Sequence, residues 1–184
     1  MFQKLNAKHK FHPIPEDMQH ILVRFGKEID GEFFGYTTYR VCEETAKKLL
    51  AYVPKKYRAG FEPCLIEINV ADLPPHIDNL IHASINFYTD ADQGVTTFYK
   101  VKPNQAIRIE KLPNQTDGGL FVEEDLDGYA EFTAEPGDIY ALAIKQIHGV
   151  KGEQGKLRRA YCLKSYEYTY AQILEMLKDK KWLN

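Results

Sequence analysis

Ten short segments rich in β-branched and aromatic residues, each closed by turn chemistry, constrain this chain more than any other feature. They are HILVRF, EFFGYTTYRV, CLIEINV, ASINFY, VTTFYKV, AIRIEKL, LFVEE, YAEFTA, IYALAI and RRAYCLKSYEY, and the breaks between them include DQG, KPNQ, DGG, LDG and EPGD. Strands this numerous and this closely spaced lead to a sandwich or a barrel. Two segments depart from the pattern. EETAKKLLAYV places Ala46, Leu49, Leu50 and Val53 at helical spacing, and YAQILEMLKDKKW does the same with Tyr170, Ile173, Leu174 and Leu177. Both are read as amphipathic helices whose stripes cover one face of a sheet, because an open sheet must bury that face against something.

Composition narrows the class. A length of 184 residues with 44% hydrophobic and 12% aromatic content suits a single folded domain with a sizeable core. The formal net charge of −2 exerts no general pull on phosphate backbones or anionic membranes, so a nucleic-acid partner is not favoured. Cys42, Cys64 and Cys162 are too few and too scattered for a disulfide framework or a zinc knuckle and are expected as free thiols. The first segment, MFQKLNAKHKFHPIPED, holds no long apolar run, so neither a signal peptide nor a membrane span is expected and the cytoplasm is the default location. His9, His12 and His20 lack Cys or Glu companions at ligand spacing and are expected to be solvated. EEDLDG lacks the alternating oxygen ligands of a calcium loop, and its Asp-Gly step reads as a hairpin turn.

Chemistry enters with LPPHIDNLIHASINFY, residues 73 to 88. Residues two apart on an extended chain face the same side, so His76 and Asp78 can grip one ion together. Such a pair is common by chance and decides little without partners. The partners lie in EPGDIYALAIKQIHGVKGEQGKLRRAYCLKSYE, where a Pro-Gly-Asp turn launches an apolar strand read as ending at His148. A polar hairpin follows, and the next strand opens with Arg158 and Arg159. Two neutral imidazoles and one carboxylate on one face of an octahedral ion leave three sites open, the arrangement that non-haem Fe(II) oxygenases use. An arginine supplies a counter-ion whose planar fork pairs bidentately with a carboxylate, which suits the far end of a dicarboxylic keto acid. Arg158 is favoured over Arg159 for that role, although one residue of error in the hairpin reverses which of them faces inward.

The ordered set His76-x-Asp78, His148, Arg158 on a strand-rich chain resembles the Fe(II)/2-oxoglutarate-dependent dioxygenases over about residues 60 to 167. The order HID, INFY, TTFY, HG is similar to that of the small prolyl/aspartyl hydroxylase-like proteins of bacteria and phages. The resemblance implies a mostly β fold, a double-stranded β-helix (jelly-roll, cupin-like) core with flanking α-helices packed on one sheet. It implies N-terminal strands and a helix over 1–60, the core over 60–167 and a C-terminal helix over 168–184. It also implies that Fe(II) is held by His76, Asp78 and His148, with 2-oxoglutarate as cosubstrate and O2 as oxidant. The distal carboxylate of 2-oxoglutarate then meets Arg158, and Tyr88, at the end of INFY, matches a tyrosine that donates to that same carboxylate. Ala160 and Cys162 share the face of Arg158. Hydroxylation with release of succinate and CO2 is the implied outcome, since related halogenases lack the carboxylate ligand that Asp78 supplies here. The chain departs from the family just before the His-x-Asp pair, where only Glu67 and Asn69 stand in place of a pocket-lining tyrosine or asparagine.

The expected substrate is a peptide side chain, prolyl or aspartyl, or a small metabolite, with specificity set by the segment before PPHID and by TDGGLFVEEDLDG. Two other classes stay open: a cupin-like metalloenzyme that does not use 2-oxoglutarate, against which Arg158 argues, and a non-catalytic jelly-roll binding module. His82 stands near the pocket mouth or against a helix.

Overall fold

The computed structural model describes residues 1–29, 31–69, 72–78, 80–90, 94–106, 108–110, 120–152, 156–178 and 182–183. Among these, strands form at β1 (Phe2–Lys4), β2 (His20–Ile29), β3 (Glu32–Arg40), β4 (Phe61–Asn69), β5 (Asp72–His76), β6 (Ala83–Asp90) and β7 (Val95–Val101). They continue as β8 (Ile109–Glu110), β9 (Leu120–Phe121), β10 (Leu126–Thr133), β11 (Ile139–Leu142), β12 (His148–Lys151) and β13 (Arg158–Ser165). The helices are α1 (Glu43–Leu50) and α2 (Tyr170–Lys178). No helix among the described residues is long and apolar enough to cross a membrane.

The strands form two antiparallel sheets, one ordered β1-β11-β6-β13-β4-β3-β2 and the other β10-β7-β12-β5-β9-β8. Eight of them make a nested hairpin: β4 pairs β13, β5 pairs β12, β6 pairs β11 and β7 pairs β10. Successive arms of this hairpin alternate between the two sheets, so the long hairpin is rolled about a common axis. That topology is the double-stranded β-helix, the jelly-roll core expected from the sequence. The remaining strands extend its edges.

Both faces of the seven-stranded sheet are covered, which is why β13 is buried along almost its whole length. Tyr161 and Leu163 point outward and pack with Leu65, Phe87, Ile173 and Leu177 beneath the helices. Ala160 and Cys162 point inward, into a second cluster with Tyr88, Phe98, Phe132 and Tyr140. Leu49 and Val53 of the first helical stripe and Ile173 and Leu177 of the second are buried, so the helices cover one sheet as expected. The start of α1 is held from a distance. Asp17, fully buried, accepts from the Cys42 N–H at 2.8 Å, the Thr45 hydroxyl at 2.9 Å and the Tyr161 hydroxyl at 2.6 Å. The carboxylate thus caps a helix that has no side-chain cap of its own.

Several expectations are corrected. IYALAI is a strand only to Leu142; a turn closed by the Gln146 N–H on the Ala143 carbonyl follows, and His148 opens β12 rather than ending an apolar strand. LFVEE holds two strand residues and then a 3-10 turn over Glu123–Asp125. The Asp-Gly of EEDLDG lies inside β10, where Gly128 accompanies a bulge instead of a hairpin turn. Of AIRIEKL only Ile109–Glu110 is a strand; residues 107 and 111–112, like DGG at 117–119, lie outside the described residues. His9 is buried, not solvated: the N-terminal segment runs along β11, with the His9 N–H on the Gly137 carbonyl, and carries the ring against Phe11 and Phe87. His12 and His20 are exposed.

Candidate metal centre

The β5–β12 pair builds the centre. β5 reads DLPPH, and its two prolines carry no N–H, so the ladder to β12 is irregular between His148 and Val150. The register nevertheless sets His148 directly opposite His76, and the two imidazole centroids lie 4.4 Å apart. Asp78 follows in the loop after β5, which is tied down by the Asp78 N–H on the Ile144 carbonyl at 3.2 Å. His76 Nε2 is 3.8 Å from Asp78 Oδ1. One donor atom from each of His76, Asp78 and His148 lies within 4.8 Å of the others, so small side-chain rotations bring all three onto one ion.

Hydrogen bonding sets the imidazole tautomers. His76 Nδ1–H donates to the Pro74 carbonyl at 2.8 Å, and His148 Nδ1–H donates to the Gln146 carbonyl at 2.9 Å. A carbonyl only accepts, so in each neutral ring the proton sits on Nδ1 and the Nε2 lone pair is free for a metal. His148 is 8% exposed and stacks on Phe98. Burial, and next the adjacent His76, push its pKa down to about 4, which keeps its ring neutral at pH 7, the form that can ligate a metal. Two imidazole nitrogens and a carboxylate form a donor set that suits Fe(II) and related divalent ions.

Arg158 projects into the space between the sheets. It is 3% exposed, donates to the Gly94 carbonyl and to Thr96 Oγ1, each at 2.9 Å, and lies over the Tyr88 ring, 4.9 Å from its centroid. Among the described residues no carboxylate lies within ion-pair distance of it. Arg159 faces the other way and pairs with Glu67 at 2.8 Å and Asp90 at 3.8 Å. Glu67, one of the two residues considered for the pocket, is therefore occupied on the opposite face. The structure thus gathers His76, Asp78 and His148 at one point and sets Arg158 with Tyr88 further along the same interior.

Sequence reading missed Thr96, Phe98 and Gly149. The signal for the first two was present in VTTFYKV, whose alternate residues Thr96 and Phe98 are buried on one face. It becomes useful only once β7 is known to lie beside β12, with His148 opposite Phe98 and Val150 opposite Thr96. His82 is half-buried, and its N–H donates to the Ser165 carbonyl at 2.7 Å. Among the described residues, no other group of three His, Cys, Asp or Glu side chains has metal-ligand spacing.

Fold and site together define a double-stranded β-helix of the cupin-like class with a His-x-Asp and distal His cluster between its sheets. No protein-family model matches the chain, and no curated protein matches it. Solved structures similar to it include vicilin from hazelnut, Corylus avellana, with 8% identity and a TM-score of 0.43 over 87% of this chain and 34% of that one. E. coli ycfD has 11% identity and a TM-score of 0.47 over 94% of this chain and 43% of that one. The polyketide cyclase RemF from Streptomyces resistomycificus has 12% identity and a TM-score of 0.41 over 95% and 100% of the two chains. The chain spans less than half the length of the first two. These likenesses concern the fold alone, and the strand order carries that assignment independently.

Proposed function

We propose that this protein is an Fe(II)- and 2-oxoglutarate-dependent dioxygenase that hydroxylates a peptide side chain, prolyl or aspartyl, or a small metabolite. The observation that supports it best is the buried guanidinium of Arg158, held inside the barrel, among the described residues, by two neutral acceptors and no carboxylate. A buried charge is costly unless a counter-ion completes it, and a dicarboxylate reaching in from the metal centre supplies one. The spacing is suitable: Thr96, which Arg158 touches, lies two residues along β7 from Phe98, the neighbour of His148, or about 7 Å at strand rise. A five-carbon dicarboxylate bridges that gap.

In this reading His76, Asp78 and His148 hold the iron, and Asp78 contributes the anionic ligand. Iron with bound 2-oxoglutarate supplies dioxygen activation and C–H hydroxylation, coupled to loss of CO2 and formation of succinate. The backbone carbonyls of Pro74 and Gln146 fix the imidazole tautomers. Arg158 and the Thr96 hydroxyl receive the distal carboxylate, the Tyr88 ring supports the guanidinium from below, and Phe98 shields His148 from water. A cytoplasmic location and a substrate other than nucleic acid belong to the same proposal, supported by the near-neutral charge and by three free cysteines.

The test is 2-oxoglutarate turnover to succinate with Fe(II) in air, compared between the parent and His148→Ala, with an anaerobic titration followed through the visible iron-to-ketoacid charge-transfer band. Band and turnover are expected in the parent and neither in the variant. Turnover that survives in His148→Ala refutes the ligand assignment, and a parent without the band refutes the cosubstrate.

A further inference from the structure

Alternation along β13 puts Arg158, Ala160, Cys162 and Lys164 on its inner face. Lys164 stands six residues, or about 20 Å at strand rise, from Arg158. It occupies the end of the barrel to which the Asp78-bearing loop returns, since the His82 N–H closes that loop on the Ser165 carbonyl at 2.7 Å. The charge of Asp78 is felt at both Cys162 and Lys164. The inner face of β13 thus carries two cations, Arg158 at one end and Lys164 at the other, with the charge of Asp78 reaching the second.

Among the described residues no carboxylate forms an ion pair with the second cation, although the charge of Asp78 reaches it. Glu62 lies directly opposite Lys164 on β4, and opposite charges at such positions ordinarily pair. Here no ion pair joins them: Glu62 is exposed and faces the Tyr166 hydroxyl, while the half-buried ammonium lies against the thiols of Cys64 and Cys162. Thiols are weak hydrogen-bond partners. A second polar atom on the same face is also unspent, because Asn86 Oδ1, on the residue opposite Cys162, is buried without a partner among the described residues.

Charge balance indicates what is missing. A divalent iron, Asp78, a 2-oxoglutarate dianion and Arg158 sum to neutrality, so Lys164 leaves the filled pocket with one positive charge in excess. We propose that Lys164 binds a carboxylate of the primary substrate, which makes that substrate a small carboxylic acid, anchored on the side of the metal away from the cosubstrate. This rests on the iron and 2-oxoglutarate reading of the same pocket.

The test needs no turnover. Mn(II) is loaded in place of iron, 2-oxoglutarate is added, and proton relaxation is measured for a series of N-acetyl-L-amino acids and their C-terminal amides. At least one acid is expected to be relaxed by the bound Mn(II). Its amide is expected to bind at least tenfold more weakly, Lys164→Gln to show the same loss for the acid, and Lys164→Arg to retain it. Circular dichroism melting of both variants identifies loss through unfolding, and Lys164→Arg then carries the comparison. Equal relaxation by acids and amides, parent-like binding in Lys164→Gln, or relaxation of the cosubstrate but of no acid overturns the assignment of Lys164. A parent that fails to relax the protons of 2-oxoglutarate overturns the cosubstrate reading instead.

Discussion

Replacing Gly149 with alanine tests the metal centre through its backbone. The added methyl carbon would stand 2.9 Å from the Leu73 carbonyl oxygen, 3.3 Å from Pro75 N and 3.4 Å from the Pro74 carbonyl carbon. All three are main-chain atoms of β5, so no flexible side chain can yield. Restoring an ordinary contact of about 3.4 Å at the carbonyl requires β12 and β5 to part by roughly 0.5 Å. That displacement falls beside the His148–His76 pair, whereas metal-ligand distances tolerate about 0.2 Å.

The expected cost is that of overpacking, about 1–3 kcal/mol in stability, which for a chain of this length lowers the melting temperature by roughly 2–12 °C. Divalent-metal affinity falls about 10- to 100-fold, as it does when groups supporting metal ligands are disturbed. Calorimetric titration with Mn(II) and a melt of the metal-free protein measure the two effects separately. Parent affinity in Gly149→Ala, with or without a lower melting temperature, would show that the ligand geometry does not depend on the β5–β12 contact.

Under the proposed function, Arg158→Met is expected to raise the 2-oxoglutarate concentration for half-saturation at least tenfold, from the loss of charge-assisted hydrogen bonds worth about 1.5–3 kcal/mol, and to leave Mn(II) affinity within twofold of the parent; anaerobic titration reads both. Asp138 is fully buried and bonded to Lys4 at 2.7 Å and to Lys8. Burial works to raise its pKa, but the two ammonium groups outweigh it and hold the carboxyl below its usual range. Its contribution is therefore complete above the ordinary carboxylate pKa and is lost as pH falls through the depressed folded value, so Asp138→Asn costs about 2 kcal/mol at pH 7 and flattens the acid limb of a melting-temperature profile. Saturating the parent with Mn(II) at a hundred times its dissociation constant adds about 2.7 kcal/mol of stability, or roughly 5–11 °C, and the shift disappears in His148→Ala.

Much of the barrel was legible because most of its strands announce themselves locally: ASINFY, VTTFYKV and RRAYCL carry β-prone residues between clear breaks. The strands that were missed lacked that local signal. β5 contains two prolines, which argue against a strand, and it exists because β12 and β9 pair with it. The end of IYALAI was misplaced because the apolar run continues through Ile144, whereas the strand ends at Leu142, where a turn closed by the Gln146 N–H on the Ala143 carbonyl begins, its start held by the Ala143 N–H on the Met1 carbonyl, an atom 142 residues away in sequence. His9 was misjudged for the same reason, since only the docking of the N-terminal segment along β11 buries it. The choice between Arg158 and Arg159 was beyond local reading. A shift of one residue exchanges the two faces of a strand, and only pairing with β4 shows that Arg159 belongs with Glu67.

The nested hairpin explains why residues so far apart in sequence meet. Each arm of its first half is laid antiparallel on an arm of its second half, so a residue near the start of the core is matched with one near its end. His76 meets His148 across β5 and β12, while Tyr88 and Arg158 meet where β13 lies beside β6. The His-x-Asp pair comes from one half, and the distal His and the Arg come from the other. No fragment holding one half contains all three candidate ligands, so binding of a metal at this cluster would require that the halves have closed on each other. This also orders the sequence signals by value: the His-x-Asp pair alone is a common accident, and it gains meaning only with a histidine and an arginine placed where the returning strands of the hairpin bring them into the same interior.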